Sequence, residues 1–299
     1  MILALSRPTM KIRLPEIRHN QAGFESLVRF YSKTEECLFD DVEIDMGGAG
    51  WFDADMCAPL GALLYKLSDQ MNTLELRNIP QGVTRILSKN GFLSNYGHEK
   101  LPDTFGTTIP YMRFDAKDDR YFAGYIEDEF VRRSEMPRMS RGLIKKFRES
   151  VFEIFSNAVL HSQTKLGIFS CGQYFPKRDR LDFAVADLGI GIRQNVLDNT
   201  GLNLGADAAI GWATDGQNTT KRGQIPGGLG LKLLREFIIL NGGRIQIVSD
   251  SGYWALEQGQ VTMREMKYRF PGTVVSIEID TADRRSYKLS SEVSETDIF

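Results

Sequence analysis

The sequence contains few cysteines, and their spacing gives no sign of a metal centre or a disulfide framework. Cys37, Cys57 and Cys171 are odd in number, far apart and outside any C-x-x-C pattern. Scattered cysteines of this kind are typical of free thiols in a reducing compartment. We therefore expect a cytoplasmic protein in which cysteine neither bridges nor ligates.

Long apolar runs and segregated charge are also missing. No run approaches the roughly 20 apolar residues that span a bilayer, and the N-terminus lacks the core and cleavage site of a signal peptide. The formal net charge is only -2, and no basic stripe stands out, so there is no strong nucleic-acid signal. We expect no membrane partner, and 299 residues are enough for two domains.

What the sequence does contain is an apolar helix that carries a row of polar groups. Residues 147–161 read FRESVFEIFSNAVLH, without Gly or Pro, and Ser140 is placed to cap the start of this helix. Steps of four keep side chains near one face, and such steps separate Glu149, Glu153, Asn157 and His161. A polar row on a buried helix is costly unless it binds something. The row is therefore either a ligand site or a solvated stripe.

Two glycine-rich segments follow and favour the ligand site. Residues 186–192, ADLGIGI, end a strand-like run, and residues 226–231, PGGLGL, open a second apolar helix. Taken in order, E-x-x-x-N, D-x-G-x-G and G-G-x-G-L resemble the N, G1 and G2 boxes of the GHKL (histidine-kinase-like, Bergerat-fold) ATPases. That superfamily includes gyrase, the ninety-kilodalton heat-shock chaperones and sensor histidine kinases. The resemblance implies a two-layer α/β sandwich over residues 116–299, and no P-loop motif competes with it.

The N-terminal third reads as a separate α/β domain. Strand, turn, helix, strand and helix follow one another between residues 41 and 91. The segments VEIDMGGAGWFDADMCAPLGALLYKL and LELRNIPQGVTRILSKNGFL resemble a STAS domain, the fold of anti-sigma-factor antagonists. The phosphorylatable serine of those antagonists is missing, since residues 52–56 read FDADM. We place this STAS-like domain at residues 1–115, with a linker at 115–120; a generic small α/β domain is the alternative.

The first box carries the candidate metal and catalytic residues. Asn157 offers a neutral amide oxygen beside the phosphates, which suits Mg²⁺, so it is assigned to both ATP and metal binding. Glu153 matches the general base of the family's hydrolysing members. We expect Glu149 to be structural, in a salt bridge. His161 either touches a phosphate or caps the helix end.

The later boxes supply the candidate nucleotide contacts. The resemblance assigns Asp187 to the adenine amino group and Thr273, in FPGT, to the support of the adenine pocket. Gly189 and Gly191 let the backbone approach the base and sugar, because a Cβ would collide there. Amides at a helix N-terminus favour phosphate, and this role falls to Gly227, Gly228, Leu229, Gly230 and Leu231.

A polar, glycine-rich segment at residues 201–225 is predicted to be a lid. Its few large apolar residues bury too little surface to order it strongly without a bound nucleotide. Lys221 or Arg222 would reach the γ-phosphate when the lid closes, or either is a solvated loop charge. The tail from Thr281 is expected to fray.

Together these assignments predict an ATP-binding protein that hydrolyses ATP slowly, with Mg²⁺, as a conformational switch. The STAS-like domain would serve regulation, through a protein partner or a homodimer. The alternatives are an anti-sigma-factor-like serine/threonine kinase and a non-catalytic ATP-sensing module. Glu153 and the missing serine near Ala54 favour the ATPase over the kinase. A histidine kinase is disfavoured, because neither His19 nor His98 lies in a phospho-acceptor context.

Overall fold

The computed structural model describes residues 9–160, 164–215, 218 and 229–292, and within these ranges the chain is a mixed α/β protein. Three sheets are formed by the described residues. No helix in these ranges combines the length and the apolar character needed to cross a membrane. The three cysteines are free and buried, which confirms the prediction of free thiols.

The N-terminal unit is a parallel sheet connected by helices, in the order predicted from the sequence. Its sheet has the strand order β1-β2-β3, with all pairs parallel, which requires a helical crossover between neighbours. Inward positions are apolar and the outer face is charged, so the strands alternate as a half-buried sheet does. The elements are β1 (Thr9–Arg13), α1 (Gln21–Thr34), β2 (Asp41–Asp45), α2 (Cys57–Asp69), β3 (Thr73–Arg77) and α3 (Gln81–Lys89).

A five-stranded antiparallel sheet forms the centre of the molecule, in the order β4-β6-β7-β9-β8. β4 precedes the predicted domain boundary at residue 115, yet its hydrogen bonds are with β6. β9 is the longest of these strands and continues without a break through residues 270–273. The strands, with a short β5, are β4 (Thr108–Phe114), β5 (Arg138–Met139), β6 (Ile168–Phe175), β7 (Arg180–Asp187), β8 (Arg244–Glu257) and β9 (Gln260–Asp280).

Helices cover both faces of this central sheet. On one face α4 (Asp119–Ile126), α5 (Arg141–Leu160) and α8 (Leu229–Asn241) share a core with β6, β7 and β9. On the other face the N-terminal unit packs its α1 and α2 side. The central sheet therefore has helices on one face and the N-terminal unit on the other.

The start of α5 is capped as predicted. The hydroxyl of Ser140 accepts the N–H of Leu143 at 3.1 Å, and the Ser140 carbonyl accepts the N–H of Ile144. Such a cap satisfies one of the donors left over at a helix start. The buried face of the helix then begins at Leu143 and continues through Phe147 and Val151.

The segment predicted to be a lid is partly helical, so the prediction of a loop was wrong there. After α6 (Gly191–Thr200), α7 (Ala206–Thr214) packs against the β8–β9 hairpin, with Ala206, Ala209 and Ile210 buried. Small residues allow this close packing: a Cβ on Gly252 would lie 2.6 Å from the Ala206 carbonyl carbon. Residues 216–217 and 219–225, which include Lys221 and Arg222, lie outside the described residues.

The tail is ordered over more residues than predicted. β10 (Ser286–Tyr287) pairs in parallel with β5, and the Tyr287 side chain is buried against the ring of Phe237. The tail is otherwise polar, so the sequence did not indicate that Tyr287 would be buried. Fraying from Thr281 was therefore a wrong expectation for residues 281–292, and residues 293–299 lie outside the described part.

Candidate functional site

Asp187 ends β7 with its carboxylate held by the turn that follows. The side chain is buried, and its Oδ1 accepts the N–H of Gly189 at 2.8 Å. Along the ladder Asp187 is opposite Ile168 on β6 and Thr273 on β9. Asp187, Gly189 and Thr273, which the sequence assigned to nucleotide binding, are therefore neighbours at one end of the central sheet.

Two glycines at this end have conformations or contacts that a side chain would disturb. Gly272 has φ of +156°, and a Cβ there would lie 2.1 Å from the carbonyl oxygen of Asp187. Gly191 has φ of +77°, which L side chains rarely adopt. The close approach of β9 to Asp187 thus depends on Gly272, a residue of the FPGT element that was not assigned to the site from the sequence.

Ser249, in β8 directly opposite Thr273, links three elements and was not predicted from the sequence. Its hydroxyl oxygen accepts the N–H of Ile192 at 2.8 Å. It also lies 3.0 Å from the Gly272 carbonyl and 3.0 Å from the Thr273 hydroxyl. Ser249 therefore orients Thr273 and ties the start of α6 to β9. Nothing in the local sequence distinguishes it from any other serine in a strand.

Aromatic contacts show which end of α5 lies near Asp187. The Phe155 ring is 6.3 Å from Phe114, whose strand partner Ile168 is itself the partner of Asp187. Phe147, two turns earlier, instead contacts Phe130, which stacks on Phe183 in the middle of β7. The C-terminal half of α5 therefore lies at the Asp187 end. It brings Glu153 and Asn157, both half-buried, toward that end.

The N-terminus of α8 points to the same end of the sheet. A connection of only two residues joins α8 to β8, so the helix runs back along the strand, which itself leads from Arg244 to Ser249. The C-terminal half of α8 meets the N-terminal half of α5 through Phe237 and Phe147, 5.2 Å apart. The first turn of α8, with Leu229, Gly230 and the half-buried Leu231, therefore begins on the Asp187 side. Gly227, Gly228 and His161 lie outside the described residues.

Glu149, by contrast, takes no part in this site. It is exposed and pairs with Lys146 at 2.8 Å on the surface of α5. The hydrogen bond from Lys146 lowers the pKa of the Glu149 carboxyl below its usual value. The predicted structural salt bridge is confirmed.

A second polar cluster is buried between the N-terminal unit and the central sheet. His19 Nδ1 lies 2.7 Å from Asp55 Oδ2 and 3.4 Å from Asp182 Oδ2. Burial alone would lower the pKa of His19, but the carboxylates of Asp182 and Asp55 outweigh it and raise the pKa to about 9. Burial also raises the pKa of Asp182, which the imidazole opposes. The two carboxylates that face the imidazole thus favour its protonated form.

This buried cluster has the donor types of a metal site, but its charges are already matched. His19, Asp182 and Glu278 each offer one ligand atom, and these atoms lie within 4.8 Å of one another. However, Arg180 lies 2.8 Å from Asp182 and Arg244 lies 2.7 Å from Glu278. Two guanidinium groups on the same carboxylates disfavour a further cation, so we assign the cluster to docking of the N-terminal unit.

The comparisons with known proteins give no family for this chain. It matches no protein-family model, and its sequence matches no curated protein. The functional argument therefore rests on the site alone.

Proposed function

We propose that this protein binds ATP with Mg²⁺ at the Asp187 end of the central sheet and hydrolyses it slowly as a conformational switch. In this proposal the chain combines a GHKL-type nucleotide domain with a STAS-like N-terminal domain that serves regulation or partner binding.

The observation that carries the proposal is the buried carboxylate of Asp187. Gly189 holds one of its oxygens at 2.8 Å, and Thr273 lies directly across the ladder. A buried carboxylate at a strand end accepts a hydrogen bond from an exocyclic amine, and in this proposal it faces C6 of the purine, where adenine has its amine and guanine has a carbonyl. The carboxylate therefore favours ATP over GTP.

The convergence of two helix ends supports phosphate and metal binding beside that carboxylate. The first turn of α8 begins on the Asp187 side, where a helix N-terminus attracts anions. Asn157 near the end of α5 offers an amide oxygen to a Mg²⁺ that keeps most of its water and phosphate ligands. Glu153, one turn earlier, would accept the proton of the attacking water.

Two other functions use the same pocket. A serine/threonine kinase would transfer the γ-phosphate to a protein hydroxyl, and a non-catalytic module would only sense ATP. Glu153 on the same helix as Asn157 favours hydrolysis over both, because neither alternative needs a base for water.

Calorimetric titration of the full-length protein with ATP and with GTP, each with Mg²⁺, tests the proposal. We expect ATP to bind more tightly, and Asp187→Asn to weaken ATP binding by about 1–3 kcal/mol, the scale of a hydrogen bond to a charged group. Asp198→Asn is the matched control, since Asp198 is exposed on α6 and accepts a hydrogen bond from Gln194 at 2.6 Å on the same helix. Equal affinity of the wild type for both nucleotides would contradict the proposal.

A further inference from the structure

A cleft of about 380 Å³ lies between β1 and α1, on the N-terminal unit. This volume is near the lower end of the roughly 300–1,000 Å³ typical of small-ligand sites. None of the residues assigned to the nucleotide site lines it. The cleft is therefore a separate feature that the proposed function does not use.

One wall of the cleft is a single face of α1. Ser26, Arg29, Phe30 and Lys33 line it, and their spacing of three, four and seven residues places them in one stripe of the helix. Phe30 is buried, whereas Arg29 and Lys33 are exposed. Like charges four residues apart repel each other and destabilise an isolated helix by a few tenths of a kcal/mol. An anion bound between them would remove that repulsion.

The opposite wall places a third cation over the glycine turn that follows β2. Arg13, the last residue of β1, lies above Gly48, where a Cβ would come within 2.9 Å of the Arg13 Nε. The missing side chain at Gly48 thus leaves room for the guanidinium. Asp45, beside Arg13 in the sheet, already accepts the N–H of Gly47 at 2.9 Å and the Nδ2 of Asn78 at 3.0 Å.

None of the three cations of the cleft lies within ion-pair distance of an acidic group among the residues that the structure describes, although the charges of Arg13 and Asp45 attract each other. Arg13, Arg29 and Lys33 form no ion pair there, and no carboxylate lines the cleft. Other cations of the same sheet behave differently: Lys11 pairs with Glu43 at 3.0 Å, and Arg77 pairs with Glu75 at 2.7 Å. Ser26 donates to the Ala22 carbonyl of its own helix, so the three cations are the donors.

We propose that this cleft binds a phosphate group, either inorganic phosphate or a phosphomonoester. A dianion between two guanidinium groups and an ammonium group would receive charge-assisted hydrogen bonds from both walls, and arginine matches phosphate oxygens with two parallel donors. The concave cationic surface also concentrates anions before contact. Because the cleft is partly open, binding should weaken as salt screens the charges.

Calorimetric titration of the full-length protein with inorganic phosphate and with phenyl phosphate, at low ionic strength, tests this site. The double variant Arg29→Ala/Lys33→Ala should bind at least about tenfold more weakly, because it loses two of the three charged donors. Arg77→Ala is the control, an exposed arginine of the same sheet outside the cleft. These exposed substitutions leave the core intact, and equal thermal unfolding temperatures would verify it.

The nucleotide proposal and this one fail independently. Asp187→Asn should leave phenyl phosphate binding unchanged, so loss of binding in that variant would place the anion elsewhere and overturn the inference. Unchanged affinity in the Arg29→Ala/Lys33→Ala variant, an equal loss in Arg77→Ala, or binding of neither probe would also overturn it. Tighter binding of phenyl phosphate than of inorganic phosphate would support the site and identify an organic phosphomonoester as its ligand.

Discussion

The imidazole of His19 lies 3.4 Å from the carboxylate of Asp182, and both side chains are fully buried. His19 belongs to the loop between β1 and α1, whereas Asp182 is on β7 of the central sheet. The groups that face this pair are Asp55 and Asp53 from the N-terminal unit, and Arg180, Arg244 and Glu278 from the sheet. The contact therefore fixes the N-terminal unit to the back of the sheet through charge as well as apolar packing.

This contact predicts that stability declines at alkaline pH. The pKa of His19 rises from 6.5 to about 9 on folding, so the protonated imidazole stabilises the folded state fully below pH 6.5. That stabilisation is lost as the pH rises from about 6.5 through about 9, and its full size is about 3 kcal/mol. Urea unfolding at several pH values should show a His19→Gln penalty that shrinks over this window. His98→Gln, at an exposed histidine, is the control, and a pH-independent His19→Gln penalty would contradict the assignment.

Gly272→Ala should be severely destabilising. A Cβ there would lie 2.1 Å from the Asp187 carbonyl oxygen, so β9 and the end of β7 cannot keep their separation. We expect a loss of about 2–4 kcal/mol in the free energy of unfolding, together with weaker ATP binding. Chemical denaturation provides the measurement. Gly124→Ala, within α4 and with nothing within 4 Å of its Cβ position, should be neutral or slightly stabilising.

Asn157→Ala and Glu153→Ala should separate metal binding from hydrolysis. Removing the amide oxygen of Asn157 should abolish Mg²⁺-dependent nucleotide binding, because the bridging ligand is gone. Glu153→Ala should still bind ATP but hydrolyse it roughly 10²-fold more slowly or worse. Binding is measured by calorimetry and turnover by phosphate release. Wild-type turnover in Glu153→Ala would exclude Glu153 as the base.

Hydrogen exchange should divide the predicted lid into two parts. Residues 206–214 should be protected with and without nucleotide, because Ala206, Ala209 and Ile210 are buried and the Ala206 N–H donates to Glu265 at 3.2 Å. ATP-specific protection, expected from the sequence, should be confined to residues 219–225. Protection of α7 that appears only with ATP would show that the whole segment closes as a unit.

The sequence predicted those elements whose signal lies in their own residues. The order of strands and helices expected between residues 41 and 91 is that of β2, α2, β3 and α3, and the capping serine located the start of α5. In each case the signal lies within a few residues of the element, where periodicity and capping act.

Features that depend on distant contacts were missed. Ser249 is important only because β8 brings it beside Thr273 and Ile192, residues distant in the chain. The segment of α7 was predicted to be part of the lid, because the sequence does not show that Gly252 provides a surface for it to pack on. His19 was considered only as a phosphoryl acceptor, because its partners Asp55 and Asp182 come from distant segments. Such contacts carry no local periodicity.

The back of the central sheet is apolar, and its coverage by α1 and α2 has a consequence for how the chain can be divided. Phe169, Cys171 and Ala184 are fully buried in the core that these helices share with the sheet. A fragment beginning at residue 116 would lose β4 and expose this surface to water, which favours aggregation. The N-terminal unit is thus a structural wall of the central sheet as well as its neighbour. Any signal that loosens that wall acts on β7 and β9, the strands that carry Asp187 and Thr273.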